Sequence, residues 1–407
     1  MINTDTQQVF FNSFFANTLH EIRTPIQTII GTLELLSETP LNKEQTEYLR
    51  QIQFSSDVLL ALANDVLDFS KIRSNQFKLE NINFDIRSLI ERVTDLICIE
   101  AFNKGLEVIT DISPDVPDII IGDPIRVQQV LLNFLKNAVK FTQKGYVRCR
   151  VSLVKNKLLF EVIDTGIGLT EETKKHLFTD FFQADASIAR KYGGTGLGLS
   201  ISKSLVTAMK GKIGALQNPS GGSRFWFALP LLLPQDDVQS AQEKLSPPKD
   251  TRILIVDDHE IACKSLANKI HQCGLKNISM AYSGNEALAT LENAAKNNKP
   301  FNAVFIDMIM AGMDGWYLAS EIRTKKLCEN TKLYLVVPEG QMGGEAKMKL
   351  LNWFTDYLYK PVKQKKLYQI LESALGLSGG KNKTEEYLNS AAKQSEEQVA
   401  HGLSVLV

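Results

Sequence analysis

Charge of one sign does not predominate in this chain. Lys and Arg number 46, Asp and Glu number 46, and the formal net charge over 407 residues is zero. Bulk charge therefore gives no reason to expect nucleic acid or an anionic membrane surface as a partner. Long apolar runs are missing as well. None reaches the roughly 18 residues of a membrane span, and the most apolar piece, Phe225 to Pro234, has the length of a buried strand. Cysteine is sparse: Cys98, Cys149, Cys263, Cys273 and Cys328 are scattered, with no Cys-x-x-Cys pair. That argues against a structural zinc site and fits a reducing compartment. The Phe-rich start, Val9 to Phe15, lacks the basic leader of a signal peptide. A cytoplasmic location is expected for these residues, and any anchor at the inner membrane would have to come from sequence outside them. What remains is an ordinary globular composition, 44% hydrophobic and 23% charged, at a length suited to two to four domains.

The first stretch is helical. Leu19, Ile22, Ile26, Ile29, Leu33 and Leu36 recur at gaps of 3, 4, 3, 4 and 3, a heptad seam. Residues 1 to about 38 read as one helix, with Phe10, Phe14 and Phe15 extending its apolar side. His20, Thr24 and Gln27 share the flank beside the seam. A lone histidine on a helix is ordinarily a surface residue, but its neighbours give this one a chemistry. Glu21 can take a proton from the imidazole or fix its tautomer, leaving one nitrogen as a nucleophile. Thr24, one turn on, can position a water. Pro25 removes a backbone donor and predicts a bend. Thr39-Pro40-Leu41-Asn42 predicts a break, followed by a second helix over about 43 to 73 with Leu49, Ile52, Leu59, Ala63 and Val66 on its seam. A single hairpin has two apolar sides and cannot bury both. Two copies would form a four-helix bundle, so a homodimer through residues 10–73 is expected. A plain coiled-coil dimeriser would show the same pattern.

From Phe84 to Pro230 helical and strand patterns alternate, as in an α/β or α+β domain. Three boxes stand out. In Gln128 to Thr142, Asn133, Asn137 and Lys140 fall on one helix face, while Leu131, Leu132 and Leu135 supply the buried side. Amide oxygens suit a hard Mg²⁺ ion and a lysine suits phosphate, although a polar helix face has the same spacing. Asp164-Thr165-Gly166-Ile167-Gly168 follows an alternating run, Leu158 to Ile163. A carboxylate there can accept a hydrogen bond from an exocyclic amine, with glycines letting the backbone pass close to a base; an ordinary strand-end turn looks similar. Gly193-Gly194-Thr195-Gly196-Leu197-Gly198-Leu199-Ser200 opens a helix at about Leu197, a natural phosphate cradle that is neither a Walker nor a Rossmann pattern. The polar stretch Thr179 to Lys191 has few anchors and could close as a lid.

After a polar linker containing Ser246-Pro247-Pro248, Arg252 to Val256 is a short buried-strand run ending in Asp257-Asp258. Strand and helix patterns alternate to about 376, which predicts a doubly wound parallel sheet. Further strand runs end at Asp307, near Val337, and at Lys360-Pro361. In such sheets the carboxyl ends of the strands form the site, so Asp257, Asp258, Asp307 and Lys360 should converge. Three carboxylates that close repel one another unless a cation sits among them, and Mg²⁺ is the expected one.

These residues carry a resemblance. His20 to Pro25 resembles the phosphoacceptor box of dimeric sensor histidine kinases, and Asp65 to Ile72 the end of that family's second helix. The three boxes, in this order and spacing, resemble the ATP-binding domain shared by histidine kinases, gyrase, the Hsp90 chaperones and MutL. That implies an α/β sandwich holding Mg-ATP. Asn137 would help hold Mg²⁺, Asn133 and Lys140 would lie near the phosphates, and Asp164 would read adenine. Gly166, Gly168, Gly194, Thr195, Gly196, Leu197 and Gly198 would line the cavity, and Phe178 and Phe182 match the aromatic box before the lid. Residues 251 to 376 resemble a response-regulator receiver domain. There Asp257 and Asp258 would bind Mg²⁺ beside Asp307, the phosphoryl acceptor. Lys360 would pair with the phosphoryl group, and Tyr357 matches the aromatic switch. Two departures stand out. The family usually has Ser or Thr at the end of the fourth strand, where this chain has Val336-Val337-Pro338, and the usual Pro after the acceptor's Met is Ala311.

Together these imply a hybrid histidine kinase, passing the γ-phosphoryl group of ATP to His20 and then to Asp307, with Glu21 as base and Thr24 assisting dephosphorylation of a receiver. Its partners would be a downstream receiver or a histidine phosphotransfer protein. An ATPase of the gyrase and chaperone type, and a regulatory partner that heterodimerises with another kinase through the hairpin, are the alternatives. The expected divisions are a phosphoacceptor hairpin (1–76), an ATP-binding domain (77–232), a linker (233–250), a receiver (251–376) and a second linker (377–402). Leu403 to Val407 resembles Thr251 to Val256 and is expected to open a second receiver in a longer natural chain, the alternative being a stray apolar tail or an edge strand added to the receiver sheet.

Overall fold

A computed structural model describes residues 23–73, 78–180, 182, 196–219, 221–234, 245–248, 250–325, 330–341 and 353–377. The chain divides into two compact units, the second beginning at Gln242.

The first unit opens with the expected hairpin: helix α1 over residues 23–37 and α2 over Lys43–Arg73. The start of α2 is fixed by a reciprocal capping box. The Asn42 N–H donates to Gln45 Oε1 at 2.9 Å and the Gln45 N–H donates to Asn42 Oδ1 at 2.8 Å. The seam divides in two. Ile26, Leu33, Leu49 and Ala63 are buried, whereas Ile29, Leu36, Ile52 and Leu59 are 44–51% exposed. Each set repeats at heptad spacing, so the chain covers one stripe of the hairpin and leaves a second stripe open.

The body that follows is an α/β sandwich. Its sheet joins β2 (Leu106–Ile112), β4 (Gly145–Val154), β5 (Lys157–Asp164), β7 (Ser223–Pro230) and β6 (Lys212–Gln217) in the order β2-β4-β5-β7-β6. The β2–β4 pair is parallel and the other pairs are antiparallel. A separate antiparallel pair is made by β1 (Ile82–Asp85) and β3 (Ile119–Gly122). Buried residues of α3 (Ile86–Asn103), α4 (Pro124–Phe141) and α6 (Gly198–Ala208) share one apolar core with alternate residues of the strands. A short helix, α5 (Glu171–His176), lies between β5 and α6 in the chain. The Phe160 and Phe227 rings stack at 4.5 Å in that core, and Phe134 approaches Phe225 at 5.4 Å. Leu131 and Leu135 are fully buried as expected, but Leu132 is only half-buried, because it sits between the inner and outer faces of α4. The apolar run after β7 is shorter than its sequence suggests: the strand ends at Pro230, and Leu232 and Leu233 are exposed.

The second unit is the doubly wound sheet. It joins β8 (Arg252–Val256), β9 (Asn277–Ala281), β10 (Ala303–Asp307), β11 (Lys332–Pro338) and β12 (Asp356–Lys360) in the order β12-β11-β10-β8-β9. The pairings of β8, β9, β10 and β11 are parallel. Successive strand residues face opposite ways. Leu254, Val304, Leu335 and Val337 pack with α8 (Gly284–Lys296) and α9 (Gly315–Thr324). Ile253, Phe305, Tyr334 and Val336 pack with α7 (Glu260–Gln272) and α10 (Gln364–Ala374). Two covered faces are why these strands read as continuous apolar runs.

The end of the expected linker is part of this unit. Leu245 is buried in the cluster around α7, and its N–H donates to the Cys273 carbonyl at 3.0 Å. Gly274 has φ +101, and a Cβ there would lie 2.7 Å from the Leu245 carbonyl oxygen. One apolar side chain in a polar stretch is enough to dock it.

Candidate functional site

The carboxyl ends of β8, β10 and β12 bring together the acids and the lysine expected there. Asp257, Asp307 and Lys360 are buried, while Asp258 is exposed. Lys360 Nζ lies 2.9 Å from Asp257 Oδ2 and 3.0 Å from Asp307 Oδ1. Backbone donors orient the other oxygens: His259 N–H to Asp257 Oδ1 and Ala311 N–H to Asp258 Oδ2, both at 2.8 Å. Asp257, Asp258 and Asp307 each offer an oxygen, all within 4.8 Å of one another. Three hard, anionic oxygens at that separation fit a divalent cation such as Mg²⁺. Nearby, burial and then Asp257 push the Cys263 thiol up to about 12, so it stays a neutral thiol at the edge of the acid group. Val337 is fully buried, and Tyr357 packs against the same apolar cluster. The Tyr357 ring meets Tyr359 edge-on at 5.2 Å, and burial is the main cause raising its phenol pKa.

In the first unit, Asp164 ends β5 and is buried. Its Oδ1 accepts from Gly166 N–H at 2.8 Å and from Ser223 N–H at 3.1 Å, and its Oδ2 accepts from the Ser223 hydroxyl. A carboxylate has about four acceptor positions, so one remains for a ligand donor. Asn218 Nδ2 donates to the Asp164 carbonyl at 3.0 Å. Glycines close the surroundings: a Cβ on Gly166 would lie 2.4 Å from the Phe141 carbonyl oxygen, and one on Gly222 would lie 2.1 Å from that of Asp164. Ser223 was not singled out by the sequence pattern; the Gly221-Gly222-Ser223 turn at the start of β7 was the available signal.

The helix α4 carries Asn133, Asn137 and Lys140 on a half-buried face, as expected. Asn137 Nδ2 donates to Asn133 Oδ1 at 3.4 Å, which leaves the Asn137 amide oxygen pointing elsewhere. Asn133 Nδ2 donates to the Ser202 hydroxyl at 2.9 Å, tying α4 to the first turns of α6. Gly198 is the first residue of α6, and a Cβ there would lie 2.7 Å from Asn133 Oδ1. Leu197 is the N-cap residue, and Gly196 has φ +70, a left-handed conformation that favours glycine. Burial lowers the Lys140 ammonium pKa, and Lys140 Nζ sits 5.1 Å from the Phe141 ring centroid. Phe178 packs against the core, and the Phe182 ring lies 5.7 Å from that of His176.

Other expected site residues are not in the described set. His20, Glu21, Gly194 and Thr195 lie outside it, as do most of the expected lid and the segment Leu403 to Val407. Thr24 is exposed on α1, and its carbonyl accepts from the Thr28 hydroxyl at 3.0 Å. No helix among the described residues is long and apolar enough to cross a membrane.

Comparison with known proteins assigns three domains in order. Residues 12–75 match the His Kinase A (phospho-acceptor) domain. Residues 122–233 match the ATPase family of histidine kinases, DNA gyrase B and HSP90. Residues 253–372 match the response regulator receiver domain. The sensor histidine kinase GacS of Pseudomonas protegens is 39% identical, over 65% of this chain and 29% of the relative. BarA of Escherichia coli is 44% identical, over 54% of this chain and 24% of the relative. The sensory/regulatory protein RpfC of Xanthomonas campestris is 36% identical, over 76% of this chain and 46% of the relative. The chain thus spans less than half the length of each of these curated relatives. The crystal structure of full-length ShkA in complex with AMPPNP is similar with a TM-score of 0.68 and 26% identity, covering 91% of this chain and 73% of that one. A phosphoacceptor domain, an ATP-binding domain of the histidine kinase type and a receiver domain, in that order, give this chain the domain organisation of a hybrid histidine kinase.

Proposed function

We propose that this chain transfers the γ-phosphoryl group of ATP to a ring nitrogen of His20 and from there to a carboxylate oxygen of Asp307. The observation that carries the reading is the convergence of Asp257, Asp258, Asp307 and Lys360 at one end of a parallel sheet, in a chain whose other domains are a phosphoacceptor and an ATPase. In the first step Glu21 accepts the imidazole proton as nitrogen attacks phosphorus, and ADP leaves with the bridging oxygen. Asp164, held by Ser223 and Gly166, offers its remaining acceptor position to the adenine amine. Asn133 and Lys140 face the phosphates, and the Asn137 amide oxygen serves Mg²⁺, which supplies charge neutralisation when bound. In the second step Asp307 is the nucleophile, Asp257 and Asp258 complete the oxygen set for Mg²⁺, and Lys360 compensates the charge arriving at Asp307. Thr24 orients a water that attacks the phosphorus of a receiver's acyl phosphate, releasing inorganic phosphate and restoring the carboxylate.

The exposed stripe of Ile29, Leu36, Ile52 and Leu59 fits a second copy of the hairpin, closing a four-helix bundle. Residues 1–76, 77–232 and 251–376 then correspond to the acceptor, ATP-binding and receiver domains, with Leu245 belonging to the last. Purified chain incubated with γ-labelled ATP tests the reading. Acid-labile, alkali-stable label on protein supports it. ATP turnover without protein label points to an ATPase, and neither outcome points to a regulatory partner.

A further inference from the structure

The loop from Asp164 to Leu169 borders the proposed adenine position, and the inference below rests on that reading. Its near end is held by Thr165. The Thr165 hydroxyl accepts from Tyr146 N–H at 3.0 Å and donates to the Lys144 carbonyl at 3.1 Å, which staples the loop to the turn after α4. Gly166 then backs onto the Phe141 carbonyl with no room for a Cβ. The far end meets a different element. Gln217 is the last residue of β6, and its Oε1 accepts from Leu169 N–H at 2.8 Å. Gly168 has φ +76, and a Cβ there would lie 2.5 Å from Gln217 Nε2 and 3.1 Å from the Gly222 carbonyl oxygen. One side chain therefore does two things. Its amide oxygen takes the backbone donor at the loop's exit, and its amide nitrogen lies against the glycine in the left-handed turn. A loop with two glycines in six residues has unusual backbone freedom, and these two contacts, made by an exposed side chain, restrict it on the side away from Thr165. Gln217 is remote in sequence from the boxes that mark the pocket, and β6 reaches the loop only through the β5–β7–β6 pairing.

We infer that Gln217 is a positioning residue for the nucleotide base: it holds the Gly168–Leu169 end of the loop so that the backbone beside Asp164 presents a fixed edge to adenine. The loop carries no bond to be made or broken, so Gln217 acts on ATP affinity and not on the transfer step. Loss of one such hydrogen bond corresponds to about a fivefold change in an equilibrium constant.

The test compares the full chain with Gln217→Ala and Gln217→Glu, measuring labelled-ATP binding by equilibrium dialysis, the KM and kcat of protein labelling, and the thermal midpoint. Gln217→Glu keeps the oxygen that accepts from Leu169. The expected result is that Gln217→Ala raises the dissociation constant and the KM about fivefold, that kcat falls by less than about twofold, that the midpoint stays in place, and that Gln217→Glu restores most of the affinity. Wild-type affinity in Gln217→Ala would overturn the inference. So would equal losses in both variants, or a loss that tracks the midpoint. Failure of the unsubstituted chain to bind ATP at all would overturn the ATP-pocket reading itself, and the inference with it.

Discussion

Asp307 stands in register with Val336 across the β10–β11 pair, and the Met308 N–H donates to the Val336 carbonyl at 2.8 Å. The next residue, Val337, is fully buried in the cluster against which Tyr357 packs. At the point where the receiver family usually places a hydroxyl, this chain has a branched hydrocarbon. On the proposed reading, a phosphoryl group on Asp307 lacks one hydrogen-bond donor, and Tyr357, the proposed switch residue, has little to turn towards. Beryllofluoride, standing in for the phosphoryl group, should bind while the environment of Tyr357 changes little, as read by NMR. Val337→Thr should restore the inward swing and cost about 1–3 kcal/mol of stability without the ligand, because the new hydroxyl is buried. A full swing of Tyr357 in the unsubstituted chain would show that the hydroxyl is dispensable.

Lys360 pairs with two buried carboxylates at once. Lys360→Met should leave Asp257 and Asp307 facing each other without a cation and lower receiver stability by about 3–5 kcal/mol. Added Mg²⁺ should recover part of that loss. Calorimetry with and without Mg²⁺ reads both effects, and a metal-independent midpoint would contradict a cation site among the three acids.

Leu245 lies in a stretch with the composition of a linker yet is buried against the second unit. Leu245→Ala should cost that unit about 2–3 kcal/mol and speed hydrogen exchange of the backbone amide at position 245, which in the unsubstituted chain donates to the Cys273 carbonyl. Unchanged exchange there would mean the segment is not docked in solution.

Burial lowers the Lys140 ammonium pKa, so in the free protein its charge is lost at a lower pH than that of an exposed lysine. Phosphates bound beside it would raise the value again. Between the two pKa values ATP binding takes up a proton, and affinity should fall as pH rises through that alkaline window while staying flat below it. Lys140→Arg should flatten the profile, since a guanidinium keeps its charge. Titration calorimetry in buffers of different ionisation enthalpy reads the proton uptake directly, and no uptake in the alkaline window would remove Lys140 from the phosphate site.

Local periodicity made much of this legible. Acids at the ends of buried-strand runs place Asp257, Asp258 and Asp307 together from sequence alone, because a parallel sheet collects its strand ends. Helical spacing put Asn133, Asn137 and Lys140 on one face of α4. What stayed hidden depends on tertiary pairing. Ser223 lies 59 residues beyond Asp164 and reaches it through the β5–β7 register. Gln217 meets Leu169 from one strand further out. Periodicity also marked one seam on the hairpin, but it could not show that Ile26 and Leu33 would be covered within the chain while Ile29 and Leu36 stay open.

Two-step transfer through His20 and Asp307 is tested most directly by a labelling experiment on three chains. Each chain is given γ-labelled ATP and the label is followed by its stability in acid and alkali. Asp307→Asn should accumulate alkali-stable, acid-labile label, because the phosphoryl group reaches His20 and stops. His20→Gln should retain ATP binding but take no label, and the unsubstituted chain should pass label from the alkali-stable to the alkali-labile form during a chase with unlabelled ATP. Alkali-stable label on His20→Gln, or label that reaches Asp307 without passing through His20, would contradict the two-step transfer.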